Sequence, residues 1–129
     1  MYCLDSDIII SVFRGDKKLK KRVDLLKPEN IAITTITLCE LFRGAYKSKD
    51  AKSSLFLVYE LLINYKVFSL DAKSSEIFGA DYAGLEKKGK QTQALDLMTA
   101  SIAKSNGLVL VTRNKKHFEN IPDLEFEEW

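Results

Sequence analysis

The chain has 129 residues, 46% of them apolar and 29% charged, which suits one soluble core and is too short for two ordinary domains. Twenty Lys and Arg against eighteen Asp and Glu leave a net charge of +2, so the total excludes a strongly basic nucleic-acid binder and a strongly acidic chain. Two cysteines and one histidine are too few for a disulfide framework and wrongly spaced for a zinc site.

Short β-like runs alternate with amphipathic stretches along the chain. Tyr2 to Leu4 is predicted as a first strand. Ile8, Ile9, Val12 and Phe13 share one helical face that ends at Gly15, and Leu19, Val23 and Leu26 continue as a second helix. From Arg14 to Lys27 there are seven bases and two acids, which reads either as a basic face or as a solvated helix surface. Ile31 to Thr34 is predicted as a second strand. Leu38, Leu41, Phe42 and Ala45 form the next helical stripe, and Leu55, Val58, Leu62 and Tyr65 another. Lys66 to Ser69 is a third strand. Phe78, Tyr82 and Leu85 mark a helix stopped at Gly89, and Leu95, Met98 and Ile102 one that ends at Asn106-Gly107. Leu108 to Val111 is continuous and apolar, as buried parallel strands are. Leu124 to Phe126 is a short last strand, within an acidic tail that carries Asp123, Glu125, Glu127 and Glu128.

Strands separated by helices imply right-handed crossovers and a parallel sheet covered on both faces. The expected fold is α/β, a three-layer sandwich whose central, mainly parallel sheet has four to five strands, in a single domain over residues 1–129. Cys3 and Cys39 read as small buried hydrophobes. No basic-then-apolar leader and no apolar run near about 18 residues are found, so the expected location is cytoplasmic.

Three acids stand out by position. Asp5 ends the first strand, Glu40 lies in the first turns of the helix after the second, and Asp96 opens the helix before the fourth. In a parallel sheet these places fall at one edge, where function gathers. The fourth strand delivers Thr112, Arg113 and Asn114 to the same edge. Each acid also has a local reading. Asp5 caps a helix, Thr37-Leu-Cys-Glu40 matches a capping box, and Asp96 complements a helix dipole. Capping accounts for three helix starts but not for their convergence. Convergent carboxylates repel unless a cation lies between them, and Mg²⁺ or Mn²⁺ suits an oxygen-only site.

At these residues the sequence resembles the PIN-domain family, and more closely the VapC toxins of VapBC toxin–antitoxin pairs. The resemblance runs nearly the whole length, through MYCLDSDIII, ITTITLCELFRGAYKS, KKGKQTQALDLMTASIAKSNGLVLVTRNKKHF and IPDLEFEEW in order. It implies a Mg²⁺- or Mn²⁺-dependent endoribonuclease with Asp5, Glu40 and Asp96 as the acidic metal-binding core. Thr35 and Thr112 line that site through their hydroxyls. The family often has Asn where this chain has Asp7, which either adds charge or ties the loop as Asn does. Many relatives carry a further acid where Asn114 or His117 stands here. Asn114 is left to bind through its carbonyl or to orient a water, and His117 reads as a surface residue that contacts phosphate when protonated.

Arg113, Lys115 and Lys116 then serve to grip RNA phosphates, with Lys87, Lys88 and Lys90 flanking the loop before Asp96. Single-stranded loops are the expected target, since side chains do not read an A-form major groove. Transfer RNA, the initiator included, and ribosomal loops all suit the resemblance. Tyr46, Tyr82 and Phe118 read as core residues rather than base-stacking platforms. The family also implies a homodimer and a cognate VapB-like antitoxin whose tail fills the groove, and the surplus apolar residues Val12, Phe13, Leu41 and Phe42 are the expected partner surface.

Three rival readings remain at this point. A phosphatase of the haloacid-dehalogenase type would use Asp5 as nucleophile and Asp7 as acid, but Ile8 and Ile9 stand where Gly-Thr is usual. A receiver domain would be phosphorylated on Asp71, but lacks the Lys after Thr112-Arg113. A non-catalytic RNA-binding module would rest on charge alone.

Overall fold

The computed structural model describes residues 1–129. Five strands, β1 (Tyr2–Leu4), β2 (Ile31–Thr34), β3 (Lys66–Phe68), β4 (Val109–Thr112) and β5 (Phe126–Glu128), pair in the order β3-β2-β1-β4-β5. Every pairing is parallel. Seven α-helices connect them: α1 (Ser6–Phe13), α2 (Lys17–Asp24), α3 (Thr35–Lys47), α4 (Ala51–Asn64), α5 (Ala72–Lys87), α6 (Ala94–Ser105) and α7 (Lys115–Phe118). The expected three-layer sandwich is therefore present, with a sheet of five strands, all parallel.

The strand period of two assigns side chains to the two faces. Leu4, Ile31, Ile33 and Val111 point into a core closed by α1 to α4, through Ile8, Leu19, Val23, Leu41 and Val58. Cys3, Ala32 and Leu110 point the other way, into a core closed by α5, α6 and α7 through Leu85, Leu97, Ala100 and Phe118. Strand order reverses between β1 and β4, which makes their carboxyl ends the switch point of the sheet, where a crevice opens in such folds.

Glycine placement sets where the helices stop. Gly107 has φ +62. Its N–H donates to Lys104 O and the N–H of Leu108 to Ala103 O, the paired bonds of a Schellman motif. Leu108 is thereby committed to closing α6, and β4 runs one residue later than its apolar run predicts. The last strand is likewise displaced, from 124–126 to Phe126–Glu128. The left-handed Asp123 (φ 55) turns the chain and Leu124 packs on the second core, so pairing begins with Phe126 beside Leu110.

Several expectations need correcting. Cys39 is exposed while Cys3 is buried, because Cys39 lies on the outer side of α3. Tyr46 is 69% exposed and is not a core residue, whereas Phe118 is fully buried and Tyr82 packs against Phe78. Of the expected partner surface, Leu41 is buried, while Val12, Phe13 and Phe42 are half-buried against the first core. More apolar surface stands open on α4, where Phe56, Leu57, Tyr59, Leu62 and Ile63 are exposed. Asp71 caps α5 through a reciprocal capping box with Ser74, which accounts for it without phosphorylation.

Candidate active site

Asp5 leaves β1 and becomes the N-cap of α1. Its Oδ1 accepts the Ser6 amide at 2.8 Å, and its own N–H still belongs to the sheet, donating to Val111 O at 2.9 Å. Capping and convergence are thus properties of the same side chain. Only 7% of Asp5 is exposed. Burial, then the charge of Asp7, pushes its carboxyl up to about 7, against the lowering by the Ser6 amide and the Thr112 hydroxyl; Glu40 adds a smaller push. The nearby Cys3 thiol is raised to about 12 by burial and by Asp5, so it stays protonated and inert.

Thr112 ends β4 with its side chain fully buried. Its Oγ1 stands 3.0 Å from Asp5 Oδ2 and 3.2 Å from Asp7 Oδ2, and accepts the Asn114 amide at 3.1 Å. A hydroxyl has one proton to donate. Two carboxylates therefore compete for one hydrogen bond.

Glu40 lies on α3, whose N-cap is Thr34. The Thr34 hydroxyl accepts the Thr37 amide at 3.0 Å, so α3 starts three residues earlier than the Thr37 capping box predicts, and Glu40 has no part in closing it. What remains for Glu40 is its charge, which is felt at Asp5. Thr35 is the first residue of α3 and is half-buried. Asp96 occupies the first turn of α6, the helix held to α5 by the Lys104–Asp81 ion pair at 2.6 Å.

Asp96 meets His117. The His117 Nδ1 lies 2.9 Å from Asp96 Oδ2, a contact that becomes an ion pair when the imidazole is protonated. Burial raises the Asp96 carboxyl, His117 draws it back, and Asp7 raises it further. The other ring nitrogen of His117 is 2.9 Å from Asn114 Nδ2. Nothing in the sequence pattern pairs His117 with this edge. Its contact depends on α7, four residues long and too short to leave a periodic signature.

Asp7 sits in the first turn of α1. Its Oδ2 accepts the Arg113 amide at 3.0 Å, while its Oδ1 is buried without a partner. At this edge Asp7 and Glu40 are in electrostatic reach of Asp5, and Asp7 is in reach of Asp96, with Asp7 Oδ1 buried and unpaired. The donor set is oxygen only, which fits a hard divalent cation. As they stand, no three of these side chains enclose a common ion position. Asp96 faces His117 instead.

The basic residues divide. Arg113 turns its guanidinium along α1 to Ser11 Oγ (3.0 Å) and Asp16 Oδ2 (3.2 Å). Lys115 and Lys116 are exposed on α7. A polar cleft of about 710 Å³ opens beside Asp96, lined among others by Tyr82, Lys90, Gln91, Thr92, Lys116 and His117. Gly89 (φ +66) ends α5 and sends the chain into the loop that forms this wall. The polar residues of that loop carried no hydrophobic pattern to single them out.

Residues 2–124 match the PIN domain family. The tRNA(fMet)-specific endonuclease VapC of Salmonella typhimurium is 31% identical, over 99% of this chain and 97% of that protein. Ribonuclease VapC2 of Rickettsia felis is 32% identical, over 100% and 98%. The chain is a VapC-family PIN domain. The fold agrees: the structure of VapBC2 from Rickettsia felis bound to a promoter DNA fragment superposes with a TM-score of 0.90 at 31% identity, covering 99% of this chain and 98% of that one. The PIN assignment sets aside the dehalogenase-type and receiver readings. In this VapC-family chain the β4 end offers Asn114 and His117, turned on each other, and no carboxylate.

Proposed function

We propose that the chain is a divalent-metal-dependent endoribonuclease, the toxin of a VapBC-type toxin–antitoxin pair. The observation that carries this reading is the carboxylate edge at the switch point, with the buried Asp7 Oδ1 left unpaired, in a chain whose relatives are ribonucleases by name.

Asp5, Glu40 and Asp96 are the proposed ligands of Mg²⁺ or Mn²⁺. A bound ion of this kind lowers the pKa of a coordinated water and offsets charge that builds on a phosphodiester under attack. Thr112 fixes the Asp5 carboxylate from the sheet side, and Thr35 lines the wall at the start of α3. Asn114 presents an amide beside His117 that orients a water or a phosphate oxygen. Lys116, at the cleft, and Lys115 beside it bind backbone phosphates, which position RNA without reading its sequence. Arg113 contributes mainly through its amide to Asp7, since its guanidinium is engaged by Ser11 and Asp16. The cleft suits a single-stranded loop of a folded RNA, and transfer RNA is the substrate class that the Salmonella relative's name supports.

The solved neighbours are VapBC complexes, and this chain is proposed to form a homodimer and to pair with a VapB-like antitoxin. The exposed apolar face of α4 is the surface that supports protein association. No helix is long and apolar enough to cross a membrane.

Cleavage of total RNA tests the reading. Cutting that stops on chelation and returns with Mg²⁺ or Mn²⁺ is expected. Binding of RNA without cutting under either ion would favour the non-catalytic module.

A further inference from the structure

Asp7 makes a contact that asparagine would make as well. An amide oxygen at this position would accept the Arg113 N–H, now 3.0 Å from Asp7 Oδ2, and would face Thr112 Oγ1, now at 3.2 Å. It would add no charge. The aspartate instead leaves Oδ1 buried with no partner, and a buried charged oxygen without a partner is costly. It also adds a negative charge beside Asp5, since both carboxylates reach the one Thr112 hydroxyl. The Thr112 proton cannot serve Asp5 and Asp7 together. The β4 side supplies no further carboxylate: Asn114 and His117 stand there, paired with each other, and His117 turns to Asp96. A loop tie needs neither the extra charge nor the orphaned oxygen; a cation needs both.

We propose that Asp7, through the carboxylate oxygen left without a partner, is a fourth acidic ligand of the divalent-cation site. This rests on the metal-dependent reading above and assigns a residue of this chain beyond Asp5, Glu40 and Asp96.

Mn²⁺ binding to the whole chain, measured by calorimetry on wild type and Asp7→Asn, tests it without reference to cleavage. Asn keeps the acceptor for Arg113 and removes the charge. Asp7→Asn is expected to weaken Mn²⁺ binding at least tenfold, and to melt in metal-free buffer at pH 8 at or above the wild-type temperature, because like charges have been relieved. Mn²⁺ affinity within twofold of wild type would overturn the proposal and make Asp7 a loop tie. A lower metal-free melting temperature with unchanged affinity would overturn it in the same way. Should Asp7→Asn fail to fold, Asp7→Ser carries the same comparison. If wild type takes up no Mn²⁺ at all, the metal-dependent reading falls, and the role of Asp7 falls with it.

Discussion

Asp5 concentrates the chemistry of this chain in one side chain. It caps a helix, continues a sheet and is held among other acids, and its carboxyl is pushed up to about 7, first by burial and then by Asp7. The unfolded value is about 3.9. A group raised on folding contributes stability that is present below its unfolded pKa and lost as pH rises through its folded one. Between about pH 4 and 7 the metal-free chain should therefore lose on the order of 2 to 4 kcal/mol from this group. Thermal unfolding in chelator at pH 5 and pH 8 checks this: wild type melts lower at pH 8, and Asp5→Asn shows little of that fall. Equal falls in the two proteins would mean that Asp5 carries no buried charge. Thr112 gives a second handle. Thr112→Val keeps the shape and removes the one proton shared by Asp5 and Asp7, so RNA cleavage should drop about tenfold or more, in line with the loss of a hydrogen bond to a charged group. Unchanged cleavage rates would detach Thr112 from the site.

At the level of elements, the helix starts separate stability from function. Thr34 closes the first turn of α3. Thr34→Ala should cost about 1 to 2 kcal/mol, while Glu40→Gln should change stability by no more than about 0.5 kcal/mol and abolish cutting. Denaturant unfolding of the two variants reads the contrast; a large loss from Glu40→Gln would return Glu40 to a capping role. The sequence pattern located each strand and each of the six longer helices because apolar residues recur at the right period and glycines close the helices. It misplaced the start of α3, since Thr34 and Thr37 are both competent caps and only the sheet decides between them. It missed α7, and with it the meeting of His117 and Asp96, because four residues leave no period. The convergence of the acids on one edge followed from parallel order. Which of their oxygens stay unpaired did not, because that depends on how β1 and β4 place Asp7 against Arg113.

Across the whole molecule, the two cores leave one face without cover. On α4, Ile63 is 83% and Phe56 61% exposed. The paired change Phe56→Glu and Ile63→Glu should leave the melting temperature near wild type, as exposed substitutions do, and weaken association with a VapB-like antitoxin measured by calorimetry. Undiminished association would place the partner elsewhere. The carboxylate edge lies at the switch point of the sheet, where β1 and β4 end and α3 and α6 begin. The most direct test of its role is single-turnover cleavage of an end-labelled transfer RNA in Mn²⁺ by wild type, Asp5→Asn, Glu40→Gln and Asp96→Asn, each checked for folding by circular dichroism. All three folded variants should cut at least about a hundredfold more slowly than wild type, as expected when charge stabilisation at the reacting phosphate is removed. A folded variant that cuts at the wild-type rate would contradict the account.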